Sequence, residues 1–303
     1  MPTATANVTF YPLEHLSLLG IQGSDALTFL QGQGTQDYRR LSETSALPGA
    51  FCTPKGRAVS NVWNVLLEAE PAHLKLVLHA STAPLLQQHL AKYIPFFRGS
   101  KLTDDRLNYH GLGITGDGDA ALMNDWFGAP AHHGVWTRNG HFAFALPDGR
   151  TQLWLDARAD SYEDWLTRVE QYSIAPTSAW QQLDIAAAQP WIEAAQSGAF
   201  VPQTIGLEDS DGISFRKGCY TGQEVVARLH FKGQSKRGMV RVQWQGKAEP
   251  TGTELFGNTG PAGEWINWIG TDSGGAGLAV VRNIEAPTPL FIDADRQIAV
   301  QVG

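Results

Sequence analysis

The pattern of apolar residues changes near residue 236, and this change constrains the fold of the 303-residue chain more than any other feature. Before it, β-rich runs such as Val59–Leu67 alternate with helical patterns such as Tyr162–Gln171. After it come short β runs separated by Gly and Pro, a spacing typical of a small barrel or sandwich. The sequence therefore predicts an α+β part followed by an all-β part, with the boundary within residues 236–246.

Individual elements follow from the periodicity and from residues that can cap helices. The expected strands of the first part are Leu13–Ile21, Val59–Leu67, Leu74–His79, Gly111–Thr115, His141–Leu146 and Thr151–Leu155. The expected helices are Asp25–Gln31 after Ser24, a segment from Ser81 to Tyr93, Tyr162–Gln171 after Ser161, and a short helix from Thr177 or Ser178 to Ala188. The expected strands of the second part are Met239–Trp244, Thr253–Phe256, Trp265–Ile269, Leu278–Val281 and Gln297–Val302.

The composition indicates an ordered protein with a sizeable core. Charged residues make up 17% of the chain and apolar residues 43%, a balance that excludes the disordered class. No stretch approaches the roughly 18 apolar residues of a membrane span, and Met1–Phe10 lacks the regions of a signal peptide. Cys52 and Cys219 are too few for a disulfide framework or a four-cysteine metal or cluster site. We therefore expect a soluble cytoplasmic protein with no metal site of its own.

Basic residues are concentrated in one segment of an otherwise acidic chain. The net charge is −7, yet residues 216–241 carry seven lysines and arginines against Glu224 alone. That segment has a net charge of +6, and the remainder has −13. Such a segment can face phosphates or another polyanionic ligand. A solvated basic helix face is the alternative that the charge pattern leaves open.

The densest group of candidate functional residues lies in the same segment. Thr221 and Glu224 form a capping box before an apolar pair, which predicts a helix with Thr221 as N-cap that runs to about His230. Cys219 would then lie two residues before the cap, close to basic residues, and both the helix end and the cations favour the thiolate. A reactive or ligand-coordinating thiol is one interpretation, and a small buried cysteine beside a demanding turn is the other. Cys52 has no capping pattern beside it, and for it we favour the buried, inert interpretation.

Two motif matches carry little weight. Gly111, Gly113 and Gly116 fit G-x-G-x-x-G, but they lie inside an apolar run, and Trp136 stands where a dinucleotide site needs an acid. Asp272–Gly275 resembles the nucleophile segment of some serine proteases, but no cue for a histidine and aspartate pair accompanies it. We expect neither site.

The run Lys217-Gly218-Cys219-Tyr220-Thr221-Gly222-Gln223-Glu224, with Arg228 and Lys236-Arg237, resembles the signature of the YgfZ family. That family comprises folate-binding proteins associated with iron–sulfur enzymes and tRNA modification. Three further segments agree with its pattern: Gln31-Gly32-Gln33 with Thr35 and Asp37; Lys55-Gly56 with Ser60-Asn61; and Ala194 to Pro202.

The resemblance implies an α+β fold like that of the glycine-cleavage T-protein. Such a fold has ferredoxin-like α+β subdomains and a small C-terminal β-barrel around a central hole that holds tetrahydrofolate. The expected domains are a folate-binding domain of residues 1–47 and 106–236, an inserted α+β subdomain of residues 48–105, and a barrel of residues 237–303.

The resemblance also implies a set of site residues. Trp180 matches a tryptophan implicated in folate binding in the family, and an aromatic face suits stacking on a pterin. Leu16 stands where the family has a second such tryptophan, and Ala186 stands where the superfamily usually has a carboxylate. For the tetrahydrofolate or its derivative we expect Trp180, Gln33, Asn61, Tyr220, Gln223 and Glu224. For the functional chemistry we expect Cys219, Lys217 and Arg228.

Three functions remain open at this stage. The first is a folate-binding accessory factor that supports iron–sulfur cluster assembly or repair through Cys219, with iron–sulfur partners such as radical-SAM tRNA methylthiotransferases. The second is an aminomethyltransferase, which the resemblance disfavours because Ser60-Asn61 replace the Asp-Asp pair of T-proteins. The third is direct RNA binding, which we do not expect because the basic segment interleaves only Tyr220 and Phe231 with its charges.

Overall fold

The structure is a computed structural model and describes residues 7–128, 134–232, 237–282 and 289–303, with the backbone alone at residue 232. The chain divides into two compact units. The first unit contains Met1–Gly32, Asp37–Pro48 and Val62–Trp180, and the second contains Gln33–Gln36, Gly49–Asn61 and Gln181–Gly303. The domain boundaries expected from the sequence stay a prediction.

The described residues form helices and strands in the following order. The helices are α1 (Ala26–Gln31), α2 (Ala83–Ala91), α3 (Asp119–Phe127), α4 (Tyr162–Val169), α5 (Thr177–Ala186) and α6 (Gln223–Lys232). The strands are β1 (Thr9–Pro12), β2 (Leu16–Gly23), β3 (Ala46–Cys52), β4 (Ala58–Ala69), β5 (Ala72–His79), β6 (Ser100–Asp104), β7 (Tyr109–Thr115), β8 (Val135–Arg138), β9 (His141–Ala145), β10 (Thr151–Asp156), β11 (Ser173–Ile174), β12 (Arg237–Gln245), β13 (Glu254–Gly257), β14 (Gly260–Thr271), β15 (Gly274–Arg282), β16 (Leu290–Phe291) and β17 (Ala299–Val302).

A six-stranded sheet with the order β11-β1-β7-β10-β9-β8 forms one layer of the first unit. One face packs on α3 and α4, where Phe10 and Leu153 of the sheet meet Trp126 and Trp165 of the helices in one buried cluster. Alternate residues of each strand point to opposite faces. The apolar alternation seen in the sequence therefore becomes a helix-covered core face.

Two glycines of the G-x-G-x-x-G match, Gly111 and Gly113, lie on the opposite face of this sheet. A Cβ on Gly111 would lie 2.8 Å from the Trp154 ring, and a Cβ on Gly113 would lie 2.2 Å from the Trp180 ring. Both distances are shorter than real contacts allow. These two glycines make room for tryptophan rings, which is a packing role and agrees with the expectation that the motif binds no dinucleotide.

A five-stranded sheet with the order β3-β4-β5-β2-β6 forms a second layer. The Lys75 Nζ on β5 donates a hydrogen bond to Asp105 Oδ2 at 2.5 Å, and both side chains are buried. Burial lowers the pKa of Lys75. Burial raises the pKa of Asp105, but the hydrogen bond and charge of Lys75 outweigh it, so that the pKa is lowered overall. The pair compensates two charges that would each be costly to bury alone.

The second unit contains a closed barrel with the strand order β12-β15-β14-β13-β16-β17. Val242, Trp244, Leu255 and Trp265 are buried in one cluster of this unit. The barrel confirms the fold that the spacing of short β runs predicts. The serine-protease-like segment Asp272–Gly275 is part of the tight β14–β15 hairpin.

The sequence patterns located most of the helices and strands, and most of the elements that they missed are short strands. Strand β2 begins at Leu16 rather than Leu13, and α4 ends at Val169 rather than Gln171. The patterns did not indicate α3 or six strands, which are β1, β3, β6, β8, β11 and β16. Most of these strands have five residues or fewer. A run of that length shows too little alternation to be recognised, and its pairing comes from distant partners.

Candidate functional site

The cysteine loop, residues 214–222, is fastened to the segment Gln33–Gln36 within the second unit. Thr35 makes most of this connection. Its carbonyl oxygen accepts from Ser214 N at 2.9 Å, its hydroxyl donates to Gly212 O at 2.7 Å, and the same hydroxyl accepts from Ala50 N at 2.9 Å. The Gln-Gly-Gln-x-Thr motif therefore supports the entry to the cysteine loop.

Lys217 anchors the middle of the loop. Its side chain is buried, and Nζ donates to the carbonyl oxygens of Gly34 and Gln36 at 2.6 and 2.7 Å. The ammonium also lies 5.0 Å from the centroid of the Tyr220 ring. The ammonium group of Lys217, which the sequence places near the thiol, thus donates hydrogen bonds to two backbone carbonyls. A catalytic role for Lys217 stays a prediction.

Cys219 is exposed, as are its neighbours Arg216 and Gly218. A Cβ added to Gly218 would meet nothing within 4 Å. The sulfur is therefore accessible in a loop whose two sides are held by buried residues, Lys217 and Tyr220. Of the two interpretations of Cys219, burial beside a turn is wrong.

Helix α6 begins at Gln223, and Gly222 rather than Thr221 is its N-cap, because Gly222 O accepts the first helical hydrogen bond from Val226 N. The expected cap at Thr221 is therefore wrong by one residue. The Thr221 hydroxyl donates instead to Gln33 Oε1 at 3.1 Å. Gly222 has φ +85°, a conformation that favours glycine, so the chain turns into the helix one residue later.

Cys52 lies directly beneath this helix start. A Cβ on Gly222 would lie 3.0 Å from Cys52 Cβ and 2.5 Å from Thr53 O. Burial raises the pKa of Cys52 to about 12, and burial also raises the pKa of Tyr220, with a smaller effect from Cys52. Cys52 is buried as the sequence indicated, but its position under the cysteine loop was missed because its own neighbours carry no signal for it.

Exposed cations surround the helix start. Arg216 of the loop and Arg228 of α6 are exposed, and the turn containing Lys55 and Arg57 approaches α6 where Gly56 meets Val225. Arg228 is four residues from the exposed Glu224 and therefore on the same face of α6. Exposed cations thus lie on the loop, on α6 and on the neighbouring turn, and their expected effect on the Cys219 thiol stays a prediction.

Asn61 and Ser60 do not provide a carboxylate. The Asn61 side chain is buried, its Nδ2 donates to Pro190 O at 2.8 Å, and its Oδ1 accepts from Ile192 N at 2.8 Å. The Ser60 hydroxyl donates to Asn61 O at 3.0 Å. Asn61 thus joins the first part of β4 to the segment after α5, and its expected contact with folate stays a prediction.

Trp180 belongs to the other unit and is fully buried. The Arg150 guanidinium lies 4.3 Å from its ring centroid, and the Tyr11 ring lies 5.6 Å from it. Its Nε1 is buried without a hydrogen-bond partner among the residues that the structure describes. Of the two departures from the family pattern, Leu16 is buried on β2, and Ala186 ends α5 with its carbonyl accepting from Arg241 Nη1 at 2.7 Å.

The structure brings together most of the expected site residues. Those near the start of α6 are Gln33, Lys217, Cys219, Tyr220, Gln223, Glu224 and Arg228. Asn61 is elsewhere in the same unit, and Trp180 is in the first unit. The roles assigned to these residues in binding and chemistry stay predictions.

Within the described ranges, no three His, Cys, Asp or Glu side chains are grouped so that they could hold a metal ion. In the same part of the chain, no helix combines the length and the hydropathy needed to cross a membrane.

The fold has a solved counterpart. The glycine cleavage system aminomethyltransferase T from Bartonella henselae superimposes with a TM-score of 0.72 at 17% sequence identity. The match covers 98% of this chain and 85% of that chain. The T-protein-like fold expected from the sequence is confirmed.

No protein-family model matches the chain. The tRNA-modifying protein YgfZ of Enterobacter sp. (strain 638) is 34% identical over 245 residues, which cover 78% of this chain and 73% of that protein. The tRNA-modifying protein YgfZ of Serratia proteamaculans (strain 568) is 34% identical over 263 residues, which cover 84% of this chain and 77% of that protein. With this identity over most of both sequences, and with the signature residues gathered at the start of α6, the chain belongs to the YgfZ family.

Proposed function

We propose that this protein is a cytoplasmic, folate-binding accessory factor that supports the assembly or repair of iron–sulfur clusters and thereby tRNA modification. The observation that carries the proposal is the exposed thiol of Cys219, held in a firmly anchored loop among exposed cations. A thiol in such surroundings is suited to bind a metal or to react, whereas a buried one is not.

The role proposed for the Cys219 thiol rests on two facts: the chain has two cysteines, and Cys52 is buried. Cys52 is fully buried and its pKa is raised to about 12, so it is unsuited to act as a thiolate ligand. Cys219 can supply one ligand, and an iron–sulfur cluster is generally held by several. The remaining ligands would come from the partner, an iron–sulfur protein such as a radical-SAM tRNA methylthiotransferase.

The folate's part rests on the T-protein-like fold and on Trp180. The buried indole N–H of Trp180, without a partner among the described residues, fits a ligand that offers a hydrogen-bond acceptor. Bound tetrahydrofolate would supply a one-carbon carrier, and the protein residues would hold it and orient it.

The T-protein-like fold also favours a second candidate, an aminomethyltransferase. That reaction needs a carboxylate beside the folate, and Ser60 and Asn61 occupy the corresponding positions. Asn61 in addition uses both ends of its amide to hold the backbone at Pro190 and Ile192. We therefore propose the accessory function over the transferase.

Titration with tetrahydrofolate under anaerobic conditions tests the folate proposal. We expect saturable quenching of tryptophan fluorescence that weakens in Trp180→Phe and persists in Trp268→Phe, a matched change on the barrel strand β14. Thermal unfolding of each variant establishes that it is folded. A wild-type protein without a saturable response contradicts folate binding.

Rescue of a bacterial strain that lacks its own family member tests the thiol. We expect Cys219→Ala to fail to restore tRNA methylthiolation and Cys52→Ala to restore it, with both proteins present at equal levels. Full restoration by Cys219→Ala would remove the thiol from the function and leave folate binding as a separate question.

A further inference from the structure

An aromatic cluster lies exposed at the end of α6. Phe215 and His230 stack with ring centroids 3.7 Å apart at an interplanar angle of 15°. Phe231 stands edge-on to both rings, 4.8 Å from His230 and 6.3 Å from Phe215. The Phe231 side chain is 72% exposed. We call these three residues the aromatic patch.

The patch could not be seen in the sequence, because Phe215 is fifteen positions from His230. In the sequence, Tyr220 and Phe231 are the aromatic residues interleaved with the basic charges. In the structure Tyr220 is buried, whereas Phe215 and His230 lie beside Phe231. The basic segment therefore presents a joined aromatic surface rather than two scattered rings.

The His230 ring is fixed in place. Its Nδ1 lies 2.6 Å from Glu208 Oε1 in a hydrogen bond, and its face is covered by Phe215. Because these two contacts already order the His230 ring, little of its conformational entropy is lost when a ligand packs against Phe231. Phe231 thus rests on a preformed support.

Cations flank the patch. Arg216 follows Phe215 directly in the loop. Arg228 precedes Phe231 by three residues on α6, which puts these two side chains on neighbouring parts of one helix face. Both arginines are exposed. The segment of residues 216–241 has a net charge of +6 in a chain whose remainder has −13, and at this surface the two exposed guanidinium groups are the charges that can attract a polyanion.

We propose that the aromatic patch, with Arg216 and Arg228, docks an unpaired stretch of RNA. A base stacks on the exposed Phe231 ring, and the guanidinium groups meet the flanking phosphates. Single-stranded nucleic acid is bound by this combination of aromatic faces and positive charge. An acidic protein is the alternative occupant, and the acidic-peptide measurement below distinguishes it from RNA. The proposal goes beyond the folate and thiol functions and is tested without either.

Fluorescence anisotropy with the full-length protein and a labelled twelve-nucleotide single-stranded RNA provides the test. We expect Phe231→Ala to weaken binding about tenfold, as loss of one stacked base does, and Phe231→Trp to preserve it. Arg228→Ala should reduce the slope of log affinity against log salt by about one. Phe96→Ala, which removes a side chain that is 81% exposed in the other unit, should leave the affinity unchanged.

Three results would overturn the proposal. The first is a wild-type protein that does not bind the RNA. The second is equal affinity of the wild-type protein and Phe231→Ala, or an equal loss in Phe96→Ala. The third is an acidic peptide of matched charge that binds as tightly as the RNA with the same dependence on Phe231, which would indicate a protein partner. Circular dichroism melts of each variant exclude unfolding as the cause.

Discussion

The ammonium group of Lys217 donates a 2.6 Å hydrogen bond to the carbonyl oxygen of Gly34, 183 positions earlier in the chain. A second bond of the same group, to Gln36 O, makes Lys217 the link between two signature segments. A lysine beside a reactive thiol suggests an electrostatic role, but here the side chain is buried and serves the shape of the cysteine loop.

Replacement of this lysine should destabilise the protein. Lys217→Met leaves the two carbonyls of Gly34 and Gln36 without their donor in a buried place, and we expect the free energy of unfolding to fall by about 2–4 kcal/mol. Urea denaturation measures the change. Lys55→Met, at an exposed lysine near the same helix start, should stay within about 0.5 kcal/mol of the wild type. Equal stability of the two variants would show that Lys217 does not anchor the loop.

The two glycines of the signature should differ sharply in their tolerance of a methyl group. Gly222→Ala combines φ +85° with a Cβ 2.5 Å from Thr53 O, and we expect a loss of about 2 kcal/mol or more. Gly218→Ala meets nothing within 4 Å and should change the stability by less than about 0.5 kcal/mol. Thermal and urea unfolding of both variants provide the comparison. A Gly222→Ala protein as stable as Gly218→Ala would contradict the close approach of the helix start to residues 52–53.

The two cysteines should react with alkylating reagents at very different rates. Cys219 is exposed, whereas Cys52 is fully buried with its pKa raised to about 12. Iodoacetamide at pH 8 should therefore add one label to the native protein, at Cys219, and a second only after denaturation. Mass spectrometry of tryptic peptides identifies the site, and Cys219→Ser should take up no label while folded. Rapid native labelling of Cys52 would contradict its burial.

Low pH should remove the contribution of the Asp37 carboxylate to the free energy of unfolding. Hydrogen bonds from the Arg39 side chain to Asp37, at 2.8 and 2.7 Å, hold the pKa of this carboxyl well below its usual range, against the opposing effect of burial. Because the folded-state pKa is lowered, the stabilisation is complete above the unfolded pKa of about 4 and is lost as the pH falls below it. We expect Asp37→Asn to lower the free energy of unfolding on the order of 1 kcal/mol at pH 7.

That difference should shrink between pH 5 and pH 2 as the wild-type carboxyl is protonated. Denaturation curves at several pH values measure it, with the exposed Asp209→Asn as the matched control. A difference between wild type and Asp37→Asn that stays constant over this range would mean that the charge of Asp37 makes no contribution.

The sequence predicted which segment of the chain carries the candidate site, but it did not predict the contacts that the side chains of this segment make in the fold. The capping box located α6 to within one residue, yet the N-cap moved to Gly222 because that residue, lying against Thr53 and Cys52, has the positive φ that favours glycine. The basic residues near Cys219 were visible in the sequence, whereas the inward direction of Lys217 was not. Trp180 is recognisable through the family pattern, but its contacts with Arg150 and Tyr11 involve segments far away in the chain.

The sequence by itself determined the local features of this protein, which are the α+β part, the strand spacing that closes into a barrel, the start of α6 and the concentration of positive charge. Each depends on neighbours within a few residues, so periodicity, capping and turn residues are sufficient to reveal it. Only the tertiary structure decided which cysteine is exposed, what Lys217 holds, and that Phe215 and His230 support Phe231. Burial and contact depend on segments that meet after folding, and their pairing leaves no mark on the local sequence.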